Sequence, residues 1–264
     1  MTESLAREGE ELTCIWVLAG VLSYRLCDRN YECEACALFH ALRGGPISGS
    51  EEETDGSSEI AAGSAPDTAV EGRVNSCLSR LIAGCKLHLD RSYSPNHFWL
   101  SCQQGREVFL GLDRHILKIL YPIDEIVTPR VGLRLKQGEP FGWITRGRIA
   151  IPMAAPISGE VKAVNGPYLD AVRARGRIED PQDWLLRLDA FEPLDAIQGL
   201  YRGEEILVWY LRNTRVLKRY LREAVYPKAD HELGPTLSAG GAPEPDLEDV
   251  LGREQFERLI DEIL

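Results

Sequence analysis

Residues Gly138–Pro156 read Gly-Glu-Pro-Phe-Gly-Trp-Ile-Thr-Arg-Gly-Arg-Ile-Ala-Ile-Pro-Met-Ala-Ala-Pro. Apolar residues flank a short polar tip, with Phe141, Trp143 and Ile144 before it and Ile149 and Ile151 after it. That pattern predicts two strands folded about Arg146-Gly147-Arg148. Gly147 supplies the positive φ that such a tip often requires. Pro156-Ile157-Ser158-Gly159-Glu160-Val161 then turns into a further strand. Upstream, Val108–Leu112 reads as a strand, and Asp113 is placed to cap a short helix over His115-Ile116-Leu117-Lys118. Ile119–Pro129 follows as an extended stretch that Pro122 and Pro129 confine to edges or bends. Downstream come a strand at Val161–Asn165, a helix at Leu169–Arg175 and a strand at Trp184–Leu188.

At Gly138–Gly142 and Ala155–Val161 the chain resembles the glycine cleavage system H protein, a carrier of the lipoyl-domain class. That family reads Gly-Glu-Pro-Phe-Gly before its hairpin and Ala-Pro-(Val/Ile)-Ser-Gly-Glu-Val after it. Its entry strand, Tyr-x-x-x-His-x-Trp-Val, is similar to Tyr93–Leu100, where His97 and Trp99 match and Leu100 stands for valine. Asp180-Pro181 and Trp184-Leu185 fit the family's closing strand, so the resemblance covers roughly residues 90–195. It implies a mainly β fold with flanking helices, built as a flattened lipoyl-type hybrid barrel of the biotinyl/lipoyl hammerhead kind. His97 is read as a packing and hydrogen-bonding residue beside aromatic rings.

The resemblance also implies a lipoylated lysine on the hairpin. Counting between the two motif blocks puts Arg148 in that position. The amide to lipoate is made by a primary amine, whereas a guanidinium stays protonated and is a poor nucleophile. The lysines are Lys86, Lys118, Lys136, Lys162, Lys218 and Lys228, and none falls at the tip. The expected function is a non-lipoylated H protein-like binding or adaptor protein, without catalysis of its own. The alternative is a working lipoyl carrier that shuttles an aminomethyl group in glycine cleavage. No phosphate-cradling glycine loop, His-Glu-x-x-His or nucleophile elbow accompanies these motifs.

A second cluster lies near the start of the chain. Cys14, Cys27, Cys33 and Cys36 are separated by twelve, five and two residues. Cys33-Glu34-Ala35-Cys36 resembles one knuckle of a metal site, because two sulfurs so spaced reach one ion from a single turn. The expectation is one structural zinc on the four thiolates, with His40 as reserve ligand and an iron–sulfur cluster as the alternative. Metal- or redox-responsive behaviour would follow. Ile15, Val17, Val21 and Tyr24 suggest a short strand or hairpin around Gly20, and Ala35–Arg43 has helical spacing. Cys77 and Cys85 read as buried small apolar residues.

Composition sets the remaining bounds. The 264 residues carry a net charge of -11, which argues against nucleic-acid binding through a basic surface. The acid-rich start is unlike a secretory leader, and Ile15–Leu22 is too short to span a bilayer, so a cytoplasmic protein without membrane insertion is expected. Gly44–Gly72 has seven acids and no Lys or Arg, the composition of a solvated tether. The chain therefore divides into a cysteine-rich unit (1–44), an acidic linker (45–72), an H protein-like barrel (73–200) and a helical extension (201–264). Residues 202–225 read as a long helix and Leu247–Leu264 as an amphipathic one. Protein partners would meet the barrel surface or these helices.

Overall fold

The computed structural model describes residues 12–27, 29–43, 65–82, 84–174, 183–225 and 246–264. Most of the expected acidic linker, the Asp180-Pro181 match and the Gly/Pro-rich stretch 228–245 lie outside the described residues. The fold is mainly β with flanking helices. Strands β1 (Ser92–Tyr93), β2 (Phe98–Gln104), β3 (Glu107–Leu112), β5 (Arg134–Leu135), β8 (Gly159–Val164), β9 (Leu186–Ala190) and β10 (Tyr201–Arg202) make one antiparallel sheet. Its order is β10-β1-β2-β3-β9-β8-β5. Strands β4 (Glu125–Val127), β6 (Pro140–Arg146) and β7 (Ile149–Ala154) make a second sheet, in the order β4-β6-β7. The expected barrel is thus two sheets, with no closed barrel among the described residues.

Alternation explains the core. In β9, Leu186, Leu188 and Ala190 are fully buried while Arg187 and Asp189 between them are not, the period of two that a half-buried strand requires. Phe98 of β2 meets Phe141 of β6 with ring centroids 5.7 Å apart, which joins the two sheets. Gly142 is dictated by close approach: a Cβ there would lie 2.3 Å from the Val127 carbonyl oxygen. That contact gives the second glycine of Gly-Glu-Pro-Phe-Gly a physical reason, since any side chain would push β4 from β6.

Helix α4 (Arg114–Ile119) starts where expected, with the Asp113 carboxylate accepting from Ile116 N–H at 2.8 Å. Helix α5 (Gly166–Arg173) is capped by Asn165. Helix α3 (Ala65–Ile82) begins inside the stretch read as linker, and its residues Val74, Leu78, Leu81 and Ile82 are buried. Helix α6 (Glu205–Val225) is the long helix read at 202–225, with Ile206, Tyr210, Leu217, Tyr220 and Leu221 buried. The last expected helix is two, α7 (Leu247–Leu251) and α8 (Arg253–Ile263), broken at Gly252.

The cysteine-rich unit differs most from expectation. Ile15–Leu18 is a short helix, α1, where a strand or hairpin was expected. The Cys14 carbonyl accepts from Val17 and Leu18 N–H, and among the described residues there the strand pairing is an isolated bridge between Thr13 and Leu26. A four-residue apolar run does not distinguish helix from strand. A 3-10 turn at Cys33–Ala35 leads into α2 (Ala37–Leu42). The unit also packs on the rest of the chain: Leu87 N–H donates to Leu18 O at 2.9 Å, and Arg215 of α6 donates to Tyr31 O at 3.1 Å. Ile15, Trp16 and Phe39 belong to the same buried core as α3 and the sheets.

Candidate functional site: the hairpin tip and the cysteine cluster

Strands β6 and β7 pair from Pro140↔Ala154 to Arg146↔Ile149, which leaves Gly147 and Arg148 as a two-residue turn. Gly147 takes φ +54, the first-position geometry of a type II′ hairpin turn. Its N–H donates to the Asp124 carboxylate at 2.6 Å, which pins the turn to the approach of β4. Arg148 is exposed. The tip therefore has the exposure and order that a cargo residue needs, and it presents a guanidinium. A lipoyl amide does not fit it, because no lysine lies between Lys136 and Lys162. Lys162 sits on β8, paired with Glu160 at 2.6 Å.

Arg146, two residues earlier, was read from sequence as part of the polar tip but closes β6 and turns inward. It is only 4 % exposed. Its guanidinium donates to Leu120 O at 3.2 Å and to Tyr121 O. It also pairs with Asp246 and, at 3.2 Å, with Glu248, the cap and first turn of α7. The Phe256 ring of α8 lies 4.6 Å from it. A signal was available: Ile144 faces inward, so period two turns Arg146 inward as well. A buried guanidinium then demands carboxylates, and Asp246 and Glu248 open the next amphipathic helix.

A polar cluster lies under α6. His97 is fully buried with φ +61, and its Nδ1 lies 2.6 Å from the Asp113 carboxylate. The ring of His97 is 4.7 Å from Trp209, and that of His115 is 4.9 Å from Tyr210. Both ring nitrogens of His115 are buried without a hydrogen-bond partner. Burial, opposed by Asp113 and aided by His97, pushes the His115 imidazole down to about 4. Burial alone would raise the Asp113 carboxyl, but the charge and hydrogen bond of His97 outweigh it and hold it below the usual range. His97 is thus a packing and hydrogen-bonding residue, as read from sequence. Beside this cluster is an open cleft of about 420 Å³ lined by Lys86, His88, Arg91, Trp99, Arg114 and Asp183. Within it Arg91 stacks on Trp99 at 4.0 Å and pairs with Asp183 at 3.3 Å.

The four early cysteines lie in one neighbourhood. Cys14 and Cys33 are buried, and Cys27 and Cys36 are half-buried. Cys14 and Cys27 are brought together by the Thr13–Leu26 bridge, with Cys14 N–H donating to Arg25 O at 2.9 Å and Cys27 N–H to Leu12 O at 2.6 Å. Tyr31 N–H donates to Cys27 Sγ at 3.3 Å. Burial, then the neighbouring Cys27 and Cys36 sulfurs, push the Cys33 thiol up to about 12. Burial also raises the Cys14 thiol, against a hydrogen bond from the Trp16 backbone. Among the described residues no group of three or more His, Cys, Asp or Glu closes into a metal-holding geometry. The reserve residue His40 is exposed and its Nε2 donates to Glu34 O at 2.5 Å, which leaves Nδ1 as the nitrogen a metal could take. Cys77 and Cys85 are buried, as expected. No helix among the described residues is long and apolar enough to cross a membrane.

Comparison with known proteins bears on residues 91–206, which match the family model described as glycine cleavage H-protein. The glycine cleavage system H protein of Opitutus terrae is 32% identical over 107 residues, covering 40% of this chain and 84% of that protein. The glycine cleavage system H-like protein of Chlamydia trachomatis is 31% identical over 100 residues, covering 38% of this chain and 86% of that one. A crystal structure of a glycine cleavage system H protein from Mycobacterium marinum aligns with a TM-score of 0.41 and 22% identity, over 47% of this chain and 98% of that chain. With a relative 32% identical across 84% of its own length, and the motif blocks flanking the β6–β7 hairpin, this chain belongs to the glycine cleavage H-protein family.

Proposed function

We propose that this chain is a non-lipoylated member of its family, a cytoplasmic adaptor that binds protein partners and catalyses nothing itself. The observation that carries this reading is the tip of the β6–β7 hairpin, an ordered exposed turn with Arg148 where an amine is needed. A guanidinium offers no nucleophilic nitrogen at neutral pH. The family relationship supports protein partners, since the matched relatives are named as members of a cleavage system. The competing reading is a working carrier, and the coverage of 84% of the Opitutus terrae protein favours it. Incubation of the full chain with a lipoate ligase and lipoate separates the two. Adaptor function predicts no transfer, and also none to Arg148→Lys alone, because Gly147 and Pro152 depart from the family's hairpin. Transfer to any lysine of the unaltered chain supports the carrier.

The cysteine cluster is the proposed input of this adaptor. Cys14, Cys27, Cys33 and Cys36 would draw together on one thiophilic ion, Zn²⁺ in the first instance and an iron–sulfur cluster as the alternative. The four cysteines share one neighbourhood, which supports this reading, while burial raises the Cys14 and Cys33 thiols, so an ion has to displace their protons to bind. Metal binding would release the thiol protons and tighten the unit around the ion. His40 stays the reserve ligand through Nδ1, its Nε2 being held by Glu34 O.

A further inference from the structure

Helices α7 and α8 are seated on the hairpin tip through a group that no family motif supplies. Arg146 is 4 % exposed, and its Nε is buried without a partner. Its two terminal nitrogens are divided between carbonyls of the chain before β4 and the carboxylates of Asp246 and Glu248. Phe256 closes over the guanidinium face at 4.6 Å. Farther along α8, Glu262 meets Arg219 at 2.5 Å and Tyr220 Oη at 3.0 Å. Leu264 lines one small apolar cavity with Phe98, Ile144, Ile151 and Met153, so the seated segment reaches the gap between the two sheets.

The geometry points to the hairpin tip being a docking site for an amphipathic helix that begins with a carboxylate cap, a site taken by residues 246–264 of this chain and open to exchange with a partner helix of the same chemistry. Charge complementarity supports it. Residues 246–264 carry seven acids and two arginines, and they lie on Arg146 and Arg219. Chain length supports it as well. Residues 226–245 join α6 to α7, and a chain of that length extends to as much as about 70 Å, which is long enough for α7 and α8 to leave the tip while the chain stays joined to α6. An empty site is disfavoured, because Leu247, Phe256, Leu259, Ile260 and Ile263 would all meet water. Exchange avoids that state, since the incoming helix restores the same burial and returns two carboxylates to Arg146. The inference rests on the adaptor reading and names the partner's chemistry.

The test uses the full chain and a fluorescent peptide of residues 246–264. Asp246→Asn with Glu248→Gln removes both charges and keeps the cap, because Asn also caps helices. This double variant should bind the peptide roughly tenfold more tightly than the unaltered chain, with affinity falling as salt rises. Hydrogen exchange should quicken at residues 247–263 and stay unchanged in β2 and β3. Arg146→Lys, which retains the charge and loses the fork, should bind roughly tenfold less tightly than the unaltered chain. Equal peptide affinity in all three proteins overturns the inference. So does exchange at 247–263 that matches the sheet in the unaltered chain, a measurement that needs no variant to fold. If the double variant dimerises in place of binding the peptide, the occupant is a second copy and the partner helix is refuted. A lipoylation result in either direction leaves these outcomes intact, so failure of the adaptor reading is recognised separately.

Discussion

Single residues set the chemistry here. Arg148 denies the tip an amine, Arg146 anchors it from within, and His115 buries an ionisable ring whose two nitrogens have no protein hydrogen-bond partner among the described residues. The last has a measurable consequence. His115 is held neutral down to about 4, against 6.5 for a free imidazole. Between those values the unfolded chain binds a proton that the folded chain refuses, so stability is full above the free value and falls as pH drops toward 4. The loss from this one group reaches about 3 kcal/mol. Carboxylates such as Glu34, Glu71 and Glu262, held low by arginine and lysine partners, lose their stabilisation only below the free carboxylate value of 4.5, outside most of this window. Urea unfolding from pH 7 to about pH 4.5 should show the decline, and His115→Leu should remove most of it. An unchanged slope in that variant would assign the effect elsewhere.

At the scale of elements, much was legible because local signals agreed with tertiary demands. The hairpin, Asp113 at the start of α4, and the stripe of α6 each combined a periodic pattern with a turn or cap residue. Helix α1 was not legible, since Ile15–Leu18 is apolar on every side and its period cannot be read over one turn. The start of α3 lies in a Gly-, Ser- and acid-rich composition that masks it. The break between α7 and α8 was missed although the sequence carries it: on one continuous helix Leu247, Val250 and Leu251 fall on the opposite side from Phe256, Leu259, Ile260 and Ile263, so one straight helix could not bury both sets. Asp113 offers the sharpest test at this scale, because it caps α4 and also holds His97. Asp113→Ala should cost about 2–4 kcal/mol, from a lost cap and a stranded buried imidazole nitrogen. Asp113→Asn keeps the cap and should cost roughly half as much. Equal losses in chemical denaturation would show that the cap contributes nothing.

The whole molecule departs most from the beads-on-a-tether arrangement that composition suggested. The unit bearing the four cysteines is docked on α6 by Arg215, which forks onto Glu34 and reaches Tyr31 O. It touches α3 through Asn30 and Asn75. Composition could not reveal this, because the docking groups are single residues separated by 181 positions. A metal on the cysteines would therefore be felt in α6. Anaerobically purified protein should hold about one zinc per chain by elemental analysis. Chelation should quicken hydrogen exchange at residues 12–43 and around Arg215 while leaving β3 and β9 protected. Metal-free protein with four freely alkylated thiols would exclude the site, and iron with acid-labile sulfide would redirect it to redox sensing.

The central claim is that this family member has kept the hairpin and lost the cargo. Intact-mass analysis of the full chain produced in a lipoate-competent host tests it most directly. The expected spectrum is the unmodified polypeptide, with no species heavier by one lipoyl group. A lipoyl adduct mapped to any of the six lysines would contradict it and return this protein to the carriers.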